Sequence, residues 1–267
     1  MYIAIILIGL TGAIASFILY FLSKKFEVQE DPRLARVLAT LPGINCGGCG
    51  YPGCAGFACA CVAAASLEEL SCPAGSKDVM IRIAAILGKA ASESIPKIAV
   101  VRCNGSCEVR MHTNVYDSAK TCAIASLLYC GETGCSYGCF GWGDCIEACK
   151  FDAIGINPAT GLAEILEDKC VSCGACVKAC PKNIIEMRSK GPQSHRIFVS
   201  CVNEDKGSVA RKVCEKACTG CYKCVKECTF DAISFTRHLA CIDDSKCTLC
   251  RKCVPVCPTG AIREVNY

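Results

Sequence analysis

The chain has 267 residues, a net charge of +4, 29 cysteines and only three histidines, length enough for one or two ordinary domains. Cysteine at roughly a tenth of all residues would mark a disulfide scaffold in a short secreted chain, but the count is odd, and most thiols sit two or three residues apart, where neighbours share a metal more readily than they pair. So few histidines exclude haem and His-rich sites. The 7% aromatic content offers no stacking platform for single-stranded nucleic acid, and thiolates on this scale imply a reducing compartment.

Residues 1–25 open with "YIAIILIGLTGAIASFILYFL", uncharged over positions 2 to 22. As a helix this run would be about 31 Å long, matching a hydrocarbon core of about 30 Å. It lacks the basic start and small-residue cleavage site of a signal peptide, so the expectation is a single transmembrane anchor. Lys24 and Lys25 follow at once, which puts the rest of the chain on the cytoplasmic side. Gly9, Gly12, Ala13 and Ser16 form small-x3-small pairs on which another membrane helix can pack.

Residues 30–90 are expected to form a small 4Fe-4S domain. Cys46, Cys49, Cys54 and Cys72 are spaced C-x2-C-x4-C-x17-C, with glycines 47, 48, 50 and 53 freeing the backbone to wrap a cluster and an alanine-rich helix returning the fourth thiolate. Cys59 and Cys61 read as small buried residues. A connecting helix and a short strand or linker follow, ending near Pro96.

Residues 97–134 form a cysteine-rich connecting segment. Cys103, Cys107, Cys122 and Cys130 are numerous enough for one extra cluster, with a spacing that matches no known rule.

From there the chain repeats itself. "CIEACKFDAI" from 145, "CVKACPKNII" from 176, "CVKECTFDAI" from 224 and "CVPVCPTGAI" from 253 align at offsets of 31, 48 and 29 residues. They define two close pairs, residues 135–190 and 214–267, separated by an insertion at 191–213. C-x2-C pairs also make zinc sites, but triple C-x2-C-x2-C runs ending in C-P are the bacterial ferredoxin run, in which the fourth cysteine serves the partner cluster. Each pair is therefore expected to be a two-cluster ferredoxin-like module, with a short helix after each cluster loop and Ile154, Ile185, Ile233 and Ile262 closing the core. Cys218, Cys221 and Cys224 then bind with Cys257, and Cys247, Cys250 and Cys253 with Cys228. Cys170, Cys173 and Cys176 bind with Cys149, and Cys180 crosses to Cys139 and Cys145. Proline follows Cys180 and Cys257 but neither Cys149 nor Cys228.

The run "CSYGCFGWGDC" carries Trp142 where the second thiolate belongs. Cys135, four residues before Cys139 in a glycine-rich loop, is the expected replacement, or else it serves the upstream set. Cys201, Cys214 and Cys241 read as structural. The fold class is thus α+β: one N-terminal transmembrane helix, a small 4Fe-4S domain and tandem two-cluster ferredoxin-like modules.

Clusters in series, with neither a nucleophile and base pair nor a phosphate loop, describe an electron conduit without a substrate pocket of its own. Lys178, Lys182, Lys212, Lys216, Lys223, Lys226, Arg251 and Lys252 crowd the clusters and suit an acidic carrier such as ferredoxin.

An uncharged N-terminal span, then "CGGCGYPGC...SCPAG", then ferredoxin runs, resembles the RnfB family of the Rnf complex, the ion-pumping ferredoxin oxidoreductase of anaerobic bacteria and some archaea. The "CSYGCFGWGDCIEACKFDAI" and "VSCVNEDKGSVARKVCEKACTGCYKCVKEC" stretches are similar to that family's longer members. The resemblance implies that electrons come from reduced ferredoxin and pass to membrane subunits carrying flavins and further clusters. It also implies coupling to sodium or proton export, with NAD or a membrane carrier as acceptor. Two other classes share part of the pattern. A ferredoxin-like component of another reductase or hydrogenase has no need of the 46–72 motif, and a redox sensor needs an exposed labile site.

Overall fold

A computed structural model describes residues 2–25, 31–75, 77–90, 96–128 and 131–267. Helix α1 (Tyr2–Lys25) carries Lys24 and Lys25 in its last turn. Its side chains are described from Gly9 onward, and among the described residues no helix is long and apolar enough to cross a membrane.

Helices α2 (Pro32–Thr40), α3 (Gly53–Ala63) and α4 (Lys77–Leu87) form the first packed unit. Asp31 starts α2 by accepting the Arg33 N–H at 2.8 Å, with Pro32 in the first turn, where its missing N–H costs nothing. The core gathers Val37, Phe57, Cys61, Leu67 and Ile83 from the three helices and their links. Lys89 finishes α3 by donating to the carbonyls of Cys61 (2.7 Å) and Val62 (3.1 Å), where a cation suits a helix C-terminus. Cys61 is buried as expected, whereas Cys59 is exposed, because its position on α3 faces away from that core.

Strand β1 (Lys97–Val101) follows, then α5 (Cys122–Leu128), α6 (Asp144–Glu147), β2 (Ile154–Asn157), β3 (Leu162–Ile165), α7 (Ala175–Ala179) and β4 (Ile185–Ser189). β1 pairs antiparallel with β4 from Lys97↔Ser189 to Val101↔Ile185, and β2 with β3 as a hairpin. The same plan recurs in β5 (Arg196–Val199), α8 (Gly207–Val213), α9 (Lys223–Glu227), β6 (Ile233–Thr236), β7 (Leu239–Ile242) and β8 (Ile262–Val265). β5 pairs with β8 and β6 with β7. Ile154, Ile185, Ile233 and Ile262 are all buried. Boundaries expected at 135 and 214 therefore fall inside the modules: the connecting segment supplies β1 to the first, and the insertion supplies β5 to the second. A helix follows three of the four cluster runs, while residues 252–256 form only a turn.

The modules are joined by buried cations. Arg102 donates to the Val199 and Cys201 carbonyls, each at 3.1 Å, and pairs with Glu186 at 3.0 Å. Arg188 reaches the Ile242 carbonyl at 2.5 Å, and Asp244 accepts the Ser189 N–H at 2.7 Å. Arg196, 4% exposed, pairs with Glu167. Burial alone would raise the Glu167 carboxyl, but hydrogen bonds from Arg196 and Asn266 hold it below its ordinary value of 4.5. A depressed carboxyl stabilises the fold fully above that ordinary pKa and loses the contribution as pH falls below it. Glu167→Gln leaves the arginine buried without its anion and is expected to cost about 3 kcal/mol at neutral pH, read as a lower denaturation midpoint that converges on wild type in acid.

Candidate metal centres

In the first unit the chain turns sharply around Cys46 and Cys49. Asn45 and Gly53 both take positive φ, and the Asn45 side chain accepts the Cys54 N–H at 2.7 Å, fixing the start of α3. Cys46, Cys49, Cys54 and Cys72 come together around a pocket floored by Leu41, Ile44 and Phe57. Burial raises the Cys72 thiol, partly offset by backbone N–H groups of Gly75 and Ala74.

Cys218, Cys221, Cys224 and Cys257 surround a second pocket of about 370 Å³. The last of these comes from the other run, as the crossed reading expects, and its sulfur accepts the Ala261 N–H at 3.3 Å. Burial, and after it the thiols of Cys170, Cys173 and Cys149, push Cys176 up to about 11. Cys253 is pushed to about 12 by burial and then chiefly by Cys247, which itself feels Cys250 and Cys228. Both remaining crossed sets are thus mutual neighbours.

The site with Trp142 differs from expectation. Cys139, Cys145 and Cys180 share their pocket, about 410 Å³, with Cys122 rather than Cys135. Cys122 opens α5, and the Asp144 carboxylate holds it there by accepting the N–H groups of Cys122 (2.7 Å) and Ala123 (2.9 Å). Trp142 stacks between Phe140 and Tyr116, with ring centroids 5.0 and 4.8 Å away.

Cys135 faces elsewhere. It lines a fourth pocket with Cys103, Cys201 and Cys214, none of them in a ferredoxin run. Cys201 and Cys214, read from the sequence as structural, are therefore site residues by position. The upstream set does not assemble: Cys103 and Cys122 go to different pockets, Cys107 is exposed with its thiol donating to the Thr160 carbonyl at 3.2 Å, and Cys130 lies outside the described residues. Cys241 sits in β7, away from these thiols. A sequence signal for the fourth pocket exists: Cys135 and Cys214 each precede a cluster run by four residues. The second run is complete, so Cys214 has no gap to fill, and by analogy neither has Cys135.

The donor sets suit iron-sulfur clusters. Among the described residues no three His, Cys, Asp or Glu side chains converge as ligands of a single ion would; four thiols instead ring a space of several hundred Å³ at Cys46, Cys139 and Cys218. Buried thiols that raise one another's pKa hold thiolate charge poorly unless cations lie among them. Small residues make the fit tight: a Cβ at Gly75 would stand 3.3 Å from the Cys72 sulfur.

Comparison with known proteins points the same way. A 4Fe-4S dicluster domain family matches residues 133–184, 169–232 and 217–261, and a putative Fe-S cluster family matches 41–73. The chain therefore binds multiple 4Fe-4S clusters. It is 41% identical over 240 residues to the RnfB component of the Na(+)-translocating ferredoxin:NAD(+) oxidoreductase complex of Acetobacterium woodii, covering 90% of this chain and 71% of that one. Identity is 38% over 257 residues with the corresponding component of the ion-translocating oxidoreductase complex of Methanosarcina acetivorans, covering 96% and 95%. With that of the proton-translocating ferredoxin:NAD(+) oxidoreductase complex of Clostridium ljungdahlii it is 36% over 263 residues, covering 98% and 91%. Similar to these relatives along nearly its whole length, the chain belongs to the RnfB family of the ion-translocating oxidoreductase complexes, the Rnf complexes.

Proposed function

We propose that this chain is the membrane-anchored electron relay of an Rnf-type complex, accepting electrons from reduced ferredoxin and passing them to other membrane subunits. A 4Fe-4S cluster takes up and releases one electron at a time, at a potential set by burial, charge and hydrogen bonds to sulfur. The carrying observation is that the cysteine sets lie side by side. The turn at Gly48 packs on the backbone of Cys173, joining the Cys46 site to the Cys170 site. The ligand sets proposed are Cys46, Cys49, Cys54 and Cys72; Cys122, Cys139, Cys145 and Cys180; Cys149, Cys170, Cys173 and Cys176; and the two crossed sets of the second module.

The protein's own contribution is electrostatic and positional. Backbone N–H groups aimed at sulfur, such as that of Ala261 on Cys257, favour the electron-rich state, and apolar side chains keep water from the sites. The uncharged run over positions 2 to 22 and the exposed apolar side chains of α1, Leu10, Ile14, Phe17 and Phe21 among them, support an anchor in the membrane. Lys24 and Lys25 then favour a cytoplasmic location for the cluster domains.

Ferredoxin docking is proposed at the second module, where Cys221 and Cys250 are exposed beside exposed Lys223, Lys226 and Lys252. Lys182 and Arg251 contribute less, being engaged with the Ser136 carbonyl and with Glu264. Lys223→Glu combined with Lys226→Glu is expected to raise KM for reduced ferredoxin on the order of tenfold at low salt, with kcat kept and the salt dependence flattened. An unchanged KM and salt slope rejects this docking face. The relay itself is tested by mixing the anaerobic protein with reduced ferredoxin: cluster bleaching is expected, and no reduction at low salt would sink the reading.

A further inference from the structure

We propose that Cys103, Cys135, Cys201 and Cys214 hold a further 4Fe-4S cluster, built half from each ferredoxin-like module and seated between them. The inference deepens the relay reading and rests on it only in taking the flanking sites to carry clusters.

The internal repeat is the first argument. Cys103 lies two residues beyond the last residue of β1, Val101, and Cys201 lies two beyond that of β5, Val199. Cys135 and Cys214 each stand four residues ahead of a cluster run. Each module thus presents the same two positions, and the four thiols meet in one pocket. Antiparallel pairing closes the site from one side: Arg110 is bridged to Cys214, the Met111 N–H donates to the Val213 carbonyl and the Glu215 N–H to the Val109 carbonyl, both at 3.2 Å.

Charge is the second argument. Arg110 is 8% exposed and lines the pocket beside Cys103 and Cys214. One of its guanidinium nitrogens donates to the Cys139 carbonyl, and its Nε has no partner among the described residues. Among the described residues it forms no salt bridge with a carboxylate. A buried cation needs a counter-charge, and four thiolates around iron are negative as a unit. Donors also face the sulfurs: the backbone N–H groups of Asn203 (3.5 Å) and Cys218 (3.3 Å) point at Cys201, and the Asn203 amide at Cys135 (3.6 Å). Asn203 is fully buried, so these donors have few other uses.

Position gives the role. The backbone of Cys139, from the Trp142 site, approaches the Cys103 sulfur, and the Cys218 N–H, from the second module, is bonded to that of Cys201. A cluster held here would gain one electron as the neighbour on one side loses one, and give it up as the neighbour on the other side gains one.

Iron and acid-labile sulfide in the anaerobically matured full-length protein decide the matter. Six clusters predict about 24 iron atoms per chain, falling to about 20 in Cys201→Ser and in Cys214→Ser, while Cys241→Ser stays at the wild-type value. Arg110→Met is expected to keep the iron but shift the midpoint potential of one EPR signal downward, with Arg110→Lys restoring most of it. Should the serine variants fail to accumulate, the wild-type count and the Arg110 titration still decide. A wild-type content of about 20 atoms, or potentials untouched in Arg110→Met, overturns the assignment and leaves the relay standing. A content of about 8 overturns both.

Discussion

Cys122→Ser is expected to remove about four iron atoms per chain and to abolish electron flow from ferredoxin to any acceptor beyond the first module. The reason is geometric. Trp142 occupies the ligand position of its run and is held there by stacking on Phe140 and Tyr116, so no rotamer change brings another thiol in. Cys122 is the fourth thiol of that pocket, and Asp144 pins its backbone. Cys135→Ser should leave this site's EPR signal intact, because Cys135 faces Asn203 and Cys214 instead. The opposite pattern, with Cys135→Ser erasing the Trp142 site and Cys122→Ser harmless, would reject the pairing.

Gly48→Val is expected to disconnect the N-terminal cluster from the rest. A Cβ at Gly48 would stand 2.8 Å from the Cys173 Cα, 3.0 Å from the Cys173 carbonyl oxygen and 2.9 Å from the Pro73 ring. Two of those atoms are backbone and cannot swing aside, so the turn must lift off the first module, at a cost of about 1–3 kcal/mol. The N-terminal site should then still be reduced by a small chemical reductant while its reduction through ferredoxin becomes slow. Wild-type kinetics in freeze-quench EPR would show that electrons do not cross at this contact. Gly53→Ala gives a contrasting defect, since its φ of +83° and the Asn45 side chain at 2.7 Å disturb the site itself.

Local patterns make the cluster runs, the Gly-rich turn at residues 46–54 and the four buried isoleucines legible, because all of these depend on short spacings. β1 and β5 are hidden for the opposite reason. Each pairs with a strand at the far end of its module, so the segments holding them read as a connector and an insertion. Cys122 is placed by a carboxylate 22 residues away, a relation that no spacing rule encodes. Cys135 is easily assigned to the wrong site because the defect at Trp142 lies closest to it. Its repeat equivalent, Cys214, sits before a run without a defect, and that comparison alone separates the two questions.

The pairing of first strand with last also governs how the chain is made. Neither module can close until its final strand has left the ribosome, at Ser189 for the first and Val265 for the second. Until then Cys103 and Cys201, just past β1 and β5, have emerged without partners, and loop closure over such separations is entropically costly. Cluster-loading machinery thus meets a chain whose second half offers its thiols while still open. Delivery of iron after synthesis, under strict exclusion of oxygen, is the regime this topology demands.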